Sequence, residues 1–97
     1  MIRSFADDTT RAIFRDGPVA LLRHIPPDVR ERARRKLDVI HAARRLDAVR
    51  ALPGTRLEVL HGDLAGWLSI RVNDKWRIVF HWADGDATDV RLIDYHG

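Results

Sequence analysis

The spacing of hydrophobic residues in this chain changes period part-way along its length. Between Asp28 and Ala43, Val29, Ala33, Leu37 and Ile40 recur at steps of four, four and three. At 100° per residue they fall within an arc of roughly 80°, the stripe of an amphipathic helix. Pro26-Pro27 supply its start, because a proline in the first helical turn gives up an N–H that has no partner there. Beyond Leu52-Pro53-Gly54 the period becomes two. Trp76, Ile78, Phe80 and Trp82 fall on one face of a strand, and Arg77, Val79 and His81 on the other. Strands are expected over about Thr55–His61, Gly66–Val72, Lys75–Ala83 and Asp86–Ile93. Gly62-Asp63, Gly66 and Asn73-Asp74 punctuate the first junctions. Asp84-Gly85 suits a two-residue hairpin turn, where both central residues need positive φ.

The opening of the chain carries weaker signals. Ile2-Arg3-Ser4-Phe5 reads as a short strand, with Ile2 and Ser4 on one face and Arg3 and Phe5 on the other. Asp7 or Asp8 is positioned to cap a helix through Thr9–Arg15 that buries Ile13 and Phe14 and stops at Gly17-Pro18. A loop or helical turn follows through Leu21, Leu22 and Ile25. Leu46 and Val49 either continue the long helix or begin another. Helices segregated from strands predict an α+β domain spanning residues 1–97. It consists of an N-terminal strand and two to three helices on one face of a mostly antiparallel sheet of four to five strands.

Composition narrows the function. The chain has 97 residues, 45% hydrophobic and 32% charged, which fits a folded domain with a modest core. The absence of cysteine removes disulfides and thiolate metal sites. No apolar run approaches the ~18–20 residues that span a bilayer, and the first residues do not open a signal peptide, so a cytoplasmic protein without a membrane partner is expected. Residues 30–50 hold eight basic side chains (Arg30, Arg32, Arg34, Arg35, Lys36, Arg44, Arg45, Arg50) against three acids, within a chain of net charge +3. Arg30, Arg34, His41 and Arg45 align beside the apolar stripe. Such a flank suits a polyanionic partner, or simply solvates the helix. His24, His41 and His81 have no metal-ligand spacing with other His or acids, so neither a metal nor another cofactor is expected.

Leu52-Pro53-Gly54-x-Arg56-Leu57, Leu60-x-Gly62-Asp63-x-x-Gly66, Ser69-Ile70-x-Val72-Asn73-x-x-Trp76-Arg77-Ile78-x-Phe80 and the closing Asp94-Tyr95-His96 form an ordered set. With these motifs the chain resembles the HigB branch of the RelE-like toxins, over essentially its whole length. The resemblance implies a RelE-like fold and the toxin of a bacterial type II toxin–antitoxin pair. It also implies a ribonuclease that cuts mRNA in the A site of the 70S ribosome and inhibits translation, and a helix-turn-helix antitoxin as neutralising partner. Two of the family's functional residues carry over: Arg77 after Trp76, and His96 after Asp94-Tyr95. Two do not, since Glu58 stands where many members have His, and His61 where Lys is common.

Cleavage of RNA by its own 2′-hydroxyl needs a base, an acid for the leaving 5′-oxygen, and cations for the phosphoryl oxygens. Arg77 offers a guanidinium fork for two phosphate oxygens. The structural alternative is a stem covering the sheet under a wet head. His96 is the candidate acid, an imidazole titrating near pH ~6.5, with Asp94 to orient it and Tyr95 to meet base or phosphate. Glu58 and His61 both remain candidates for the base. Arg56 is a secondary phosphate contact or an exposed strand residue, and Trp67 a stacking platform or core. Arg30, Arg34 and Arg45 are candidates for docking on ribosomal RNA. Two readings stand beside the nuclease: a toxin of this fold that only binds its target, as in the gyrase-poisoning ParE type, and an RNA-binding module that uses the basic flank without cutting.

Overall fold

The computed structural model describes residues 1–94. Its elements run α1 (Asp8–Arg15), a 3₁₀ turn (Val19–Leu22), α2 (Pro27–Ala42), α3 (Leu46–Arg50), β1 (Glu58–Val59), a 3₁₀ turn (Gly62–Leu64), β2 (Leu68–Arg71), β3 (Trp76–Ala83) and β4 (Asp86–Asp94). The four strands form an antiparallel sheet in the order β1-β2-β3-β4. Residues 2–5 run parallel to β4 as isolated bridges, Ile2 to Ala87 and Phe5 to Val90.

The stripe expected on α2 is the centre of the core. Val29, Ala33, Leu37 and Ile40 are all buried, in one cluster with Ile70, Ile78, Phe80, Val90 and Leu92 of the sheet. Asp7 caps α1 by accepting a hydrogen bond from the Thr10 N–H (2.7 Å), as a short polar side chain at that position should. The helix ends at Arg15, as expected, where Asp16 takes the left-handed conformation (φ 53°). Gly17 is still required: a Cβ there would lie 2.8 Å from that of Ala12. Thr10, fully buried, accepts a hydrogen bond from the Leu92 N–H and so ties α1 to β4.

Three expectations are corrected. The strand over Thr55–His61 shrinks to Glu58–Val59, because Arg56 (φ 46°) and Gly62 (φ 69°) turn the chain at both ends. Thr55 keeps one rung, its carbonyl accepting from the Arg71 N–H at 2.7 Å. The simple alternation of Ile2–Phe5 also fails, since Ile2 and Phe5 both reach the core. The cause lies in β4. Val79 pairs with Arg91 but His81 with Thr88, so β4 carries an extra residue, and Asp89 there has φ 52°. The bulge spaces the inward positions Ala87 and Val90 three apart, and the opening segment bridges those two with residues also three apart. The third correction concerns the basic flank. α2 stops at Ala42, so Arg45 lies beyond it, at the start of α3. The Asp84-Gly85 turn is as expected, with φ of 53° and 81°. Among the described residues no helix is long and apolar enough to cross a membrane.

Candidate active site on the open face of the sheet

Alternation puts Trp76, Ile78, Phe80 and Trp82 towards the helices, so Arg77 and Val79 point to the opposite face. The register then decides their company. Arg71 lies across from Arg77 and Ser69 across from Val79 in the β2–β3 pair, and Glu58 lies across from Ser69 in the β1–β2 pair. Arg77 is thus within diagonal reach of the two β2 and β1 positions that carry oxygen.

It uses both. The Arg77 Nη1 donates to the Ser69 hydroxyl at 3.3 Å, and its Nη2 stands 3.5 Å from the Glu58 Oε1. Arg77 is only 8% exposed and Ser69 not at all, whereas the Glu58 side chain is 54% exposed. A guanidinium fixed from below by a hydroxyl and covered by a solvent-facing carboxylate can receive an anion in place of that carboxylate. Val79 and Leu60 are buried outside the main core cluster, and they make this face partly apolar. Trp67 stacks on His81 with ring centroids 4.0 Å apart.

The other expected residues distribute differently. His61 is exposed at the start of the 3₁₀ turn after β1, so Glu58 is the base candidate that the fold brings to Arg77. Arg56 is exposed at the left-handed corner before β1. Asp94 pairs across from Trp76, which points to the helices, and it meets Lys75 at 3.6 Å; alternation therefore separates it from the Arg77 face. Tyr95 and His96 lie outside the described residues. Arg30 donates to the Ile25 carbonyl at 2.7 Å, Arg34 pairs with Asp16, and Arg45 stands 3.6 Å from Asp47, so these three do not form one continuous row. Ser69 was not foreseen as a site residue. Its signal was a hydroxyl in the otherwise apolar run Leu68–Ile70, which only the register connects with Arg77. His81, which alternation already puts on the Arg77 face, carried no site role in the sequence and stands there against Trp67.

The sequence of this molecule matches the model of the RelE-like toxin of type II toxin–antitoxin system HigB across residues 3–96. The chain belongs to the HigB-like toxin family. It is 43% identical over 70 residues to Toxin HigB-1 of Vibrio cholerae serotype O1, a stretch covering 72% of this chain and 74% of that protein. It is 30% identical over 96 residues to Endoribonuclease HigB of Proteus vulgaris, covering 99% of this chain and all of that one. The YoeB–YefM complex from Staphylococcus aureus contains a chain of the same fold, with a TM-score of 0.60 over 100% of this chain and 99% of that one, at 15% identity. As a HigB-like toxin, the protein is one half of a toxin–antitoxin pair and has an antitoxin as its partner. Its architecture is the α+β one that the strand and helix patterns predict, and the RelE-like one that the resemblance implies.

Proposed function

We propose that this HigB-like toxin is an endoribonuclease that cuts mRNA on the 70S ribosome and so stops translation, with Arg77 as the phosphate-binding cation. The observation that supports it is the Ser69–Arg77–Glu58 cluster on the face of the sheet away from the helices. The chain's full-length similarity to an endoribonuclease supports the same reading.

In this reading the scissile phosphate takes the place of Glu58 on the guanidinium, which can grip two oxygens at once. The displaced carboxylate then accepts the 2′-hydroxyl proton as the 2′-oxygen attacks phosphorus. Glu58 is the first candidate for this role and His61 the second. The bond from phosphorus to the 5′-oxygen breaks, His96 gives that oxygen its proton, and the products are a 2′,3′-cyclic phosphate and a 5′-hydroxyl. No other co-reactant is needed for this balance. Arg56 and Tyr95 are assigned to substrate contacts, and Asp94 acts on His96 through the chain end, since its own side chain lies on the helix side. Arg30, Arg34 and Arg45 are assigned to ribosomal RNA as separate contacts. The neutralising partner is a helix-turn-helix antitoxin, and the cytoplasm, where ribosomes are, is the site of action.

Expression without the antitoxin tests the proposal. Wild-type protein should arrest growth and leave cut mRNA ends in primer extension. Arg77→Ala and His96→Ala should each relieve the arrest and reduce cutting by about 10²–10³-fold, the usual cost of losing one such transition-state contact. Uncut mRNA with loss of gyrase supercoiling activity would point to a binding-only toxin and overturn the assignment.

A further inference from the structure

Most cations of this chain lie against acids: Arg3 with Asp86, Arg11 with Asp8, Arg34 with Asp16, Arg50 with Asp47, Arg71 with Asp74, Arg91 with Asp7. Arg32 and Lys36 on α2 differ, since among the described residues neither forms an ion pair. Both line a groove of about 310 Å³ between α2 and the end of β2, together with Arg35, Val39, Gly54 and Val72. Arg35 meets only Glu31 at 3.7 Å, with both side chains more than 60% exposed, an interaction worth little in water. On the helix, Arg32, Lys36 and Val39 follow at steps of four and three, which stacks them in one row. The groove therefore gathers unbalanced positive charge over an apolar floor. Gly54, with nothing within 4 Å of where a Cβ would stand, lets a ligand approach the backbone there.

We infer that this groove is a second RNA subsite, which binds the sugar–phosphate backbone of the same strand that is cut at Arg77. Three cations suit successive phosphates, and Val39 and Val72 suit the apolar side of the ribose. With no aromatic among its lining residues, the groove has nothing to stack a base on, so it holds backbone irrespective of sequence. The groove and Arg77 lie on opposite faces of the sheet but at the same end of it. Val72 on the groove floor follows Arg71, which lies directly across from Arg77 in the β2–β3 register, so a strand held at both passes round the β2–β3 turn. The inference rests on the nuclease reading for the identity of the strand, though not for the presence of an anion groove.

The test is binding of the full-length toxin to a single-stranded oligoribonucleotide with 2′-O-methyl sugars, which cannot be cut by attack of its own 2′-oxygen. The measurement is fluorescence anisotropy across a salt series. R32E/K36E should weaken binding at least tenfold at low salt and flatten the slope of log affinity against log salt by about 1.4, two contacts at ~0.7 each. R32Q/K36Q should show the same change at smaller size. R15E/R44E alters net charge equally at exposed sites elsewhere, and it should move affinity at least fivefold less. Equal weakening by both reversed pairs, or none by R32E/K36E, overturns the inference. So does normal oligonucleotide binding by R32E/K36E combined with lost antitoxin binding, because the groove would then serve an acidic protein segment. Arg77→Ala in parallel keeps the two ideas apart. If neither wild type nor Arg77→Ala cuts mRNA, the nuclease reading falls while the binding comparison stands; if Arg77→Ala cuts as well as wild type, only the role of Arg77 falls.

Discussion

Arg77 shows what a strand can do with a cation that solvent scarcely reaches. Its stem crosses the sheet surface and its head is held by Ser69 beneath and Glu58 at the rim. Each contact makes a separate prediction. Ser69→Ala removes the acceptor from a buried charged donor and should lower unfolding free energy by about 1–3 kcal/mol in urea titration. Glu58→Gln keeps the shape and removes the basicity. If Glu58 takes the proton, its kcat should fall about 10²-fold or more and the acidic limb of the pH–rate profile should disappear. A variant that keeps the limb would transfer the role to His61. The sequence made Arg77 visible in two ways: through alternation, since every position on its strand with the parity of Trp76 is apolar, and through its place after Trp76 in the motif that the chain shares with the HigB branch. It could not choose between Glu58 and His61. That choice depends on the register of β1 against β2 across a 3₁₀ turn, and register is a tertiary property.

Elements followed the sequence where one dominant signal acted, and departed from it where backbone geometry intervened. The α2 stripe, the Asp7 cap and the Asp84-Gly85 turn each rest on a single local cause and form as that cause dictates. β1 and the opening segment instead depend on left-handed residues that are not glycine, Arg56 and Asp89, which no hydrophobic pattern announces. The bulge at Asp89 sets the phase of Ile2 and Phe5 and can be tested directly. Asp89→Val should destabilise the fold by about 1–2 kcal/mol, because a β-branched side chain opposes positive φ, whereas Asp89→Gly should be close to neutral. Both are read from thermal or urea unfolding. At the start of α1, Asp7→Ala should cost ~1 kcal/mol through loss of the cap.

Across the whole molecule, the start of the chain is bound to distant parts of it. The Ile2 N–H donates to the His41 Nδ1 at 3.1 Å, while Arg3 and the terminal ammonium both meet Asp86 beside the β3–β4 turn. The Arg3 hydrogen bond, followed by the charges of Arg3 and the amino terminus, holds the Asp86 carboxyl below the usual carboxylate range. A folded-state pKa lower than the unfolded one means that the contact stabilises above the unfolded value near ~3.9 and is lost as pH falls through the folded value. Wild type should therefore exceed Asp86→Asn in stability at neutral pH, and the two acid-unfolding curves should converge below about pH 4. Glu58 has a consequence at this same scale. A free phosphate or nucleotide arriving at Arg77 competes with a carboxylate tethered to the same domain, at an effective concentration of order millimolar or above. On the proposed reading of Arg77, that rivalry disfavours small metabolite anions. On the same reading, a long polymer anchored elsewhere on the toxin or its target brings additional affinity towards evicting the resident group that a small anion lacks.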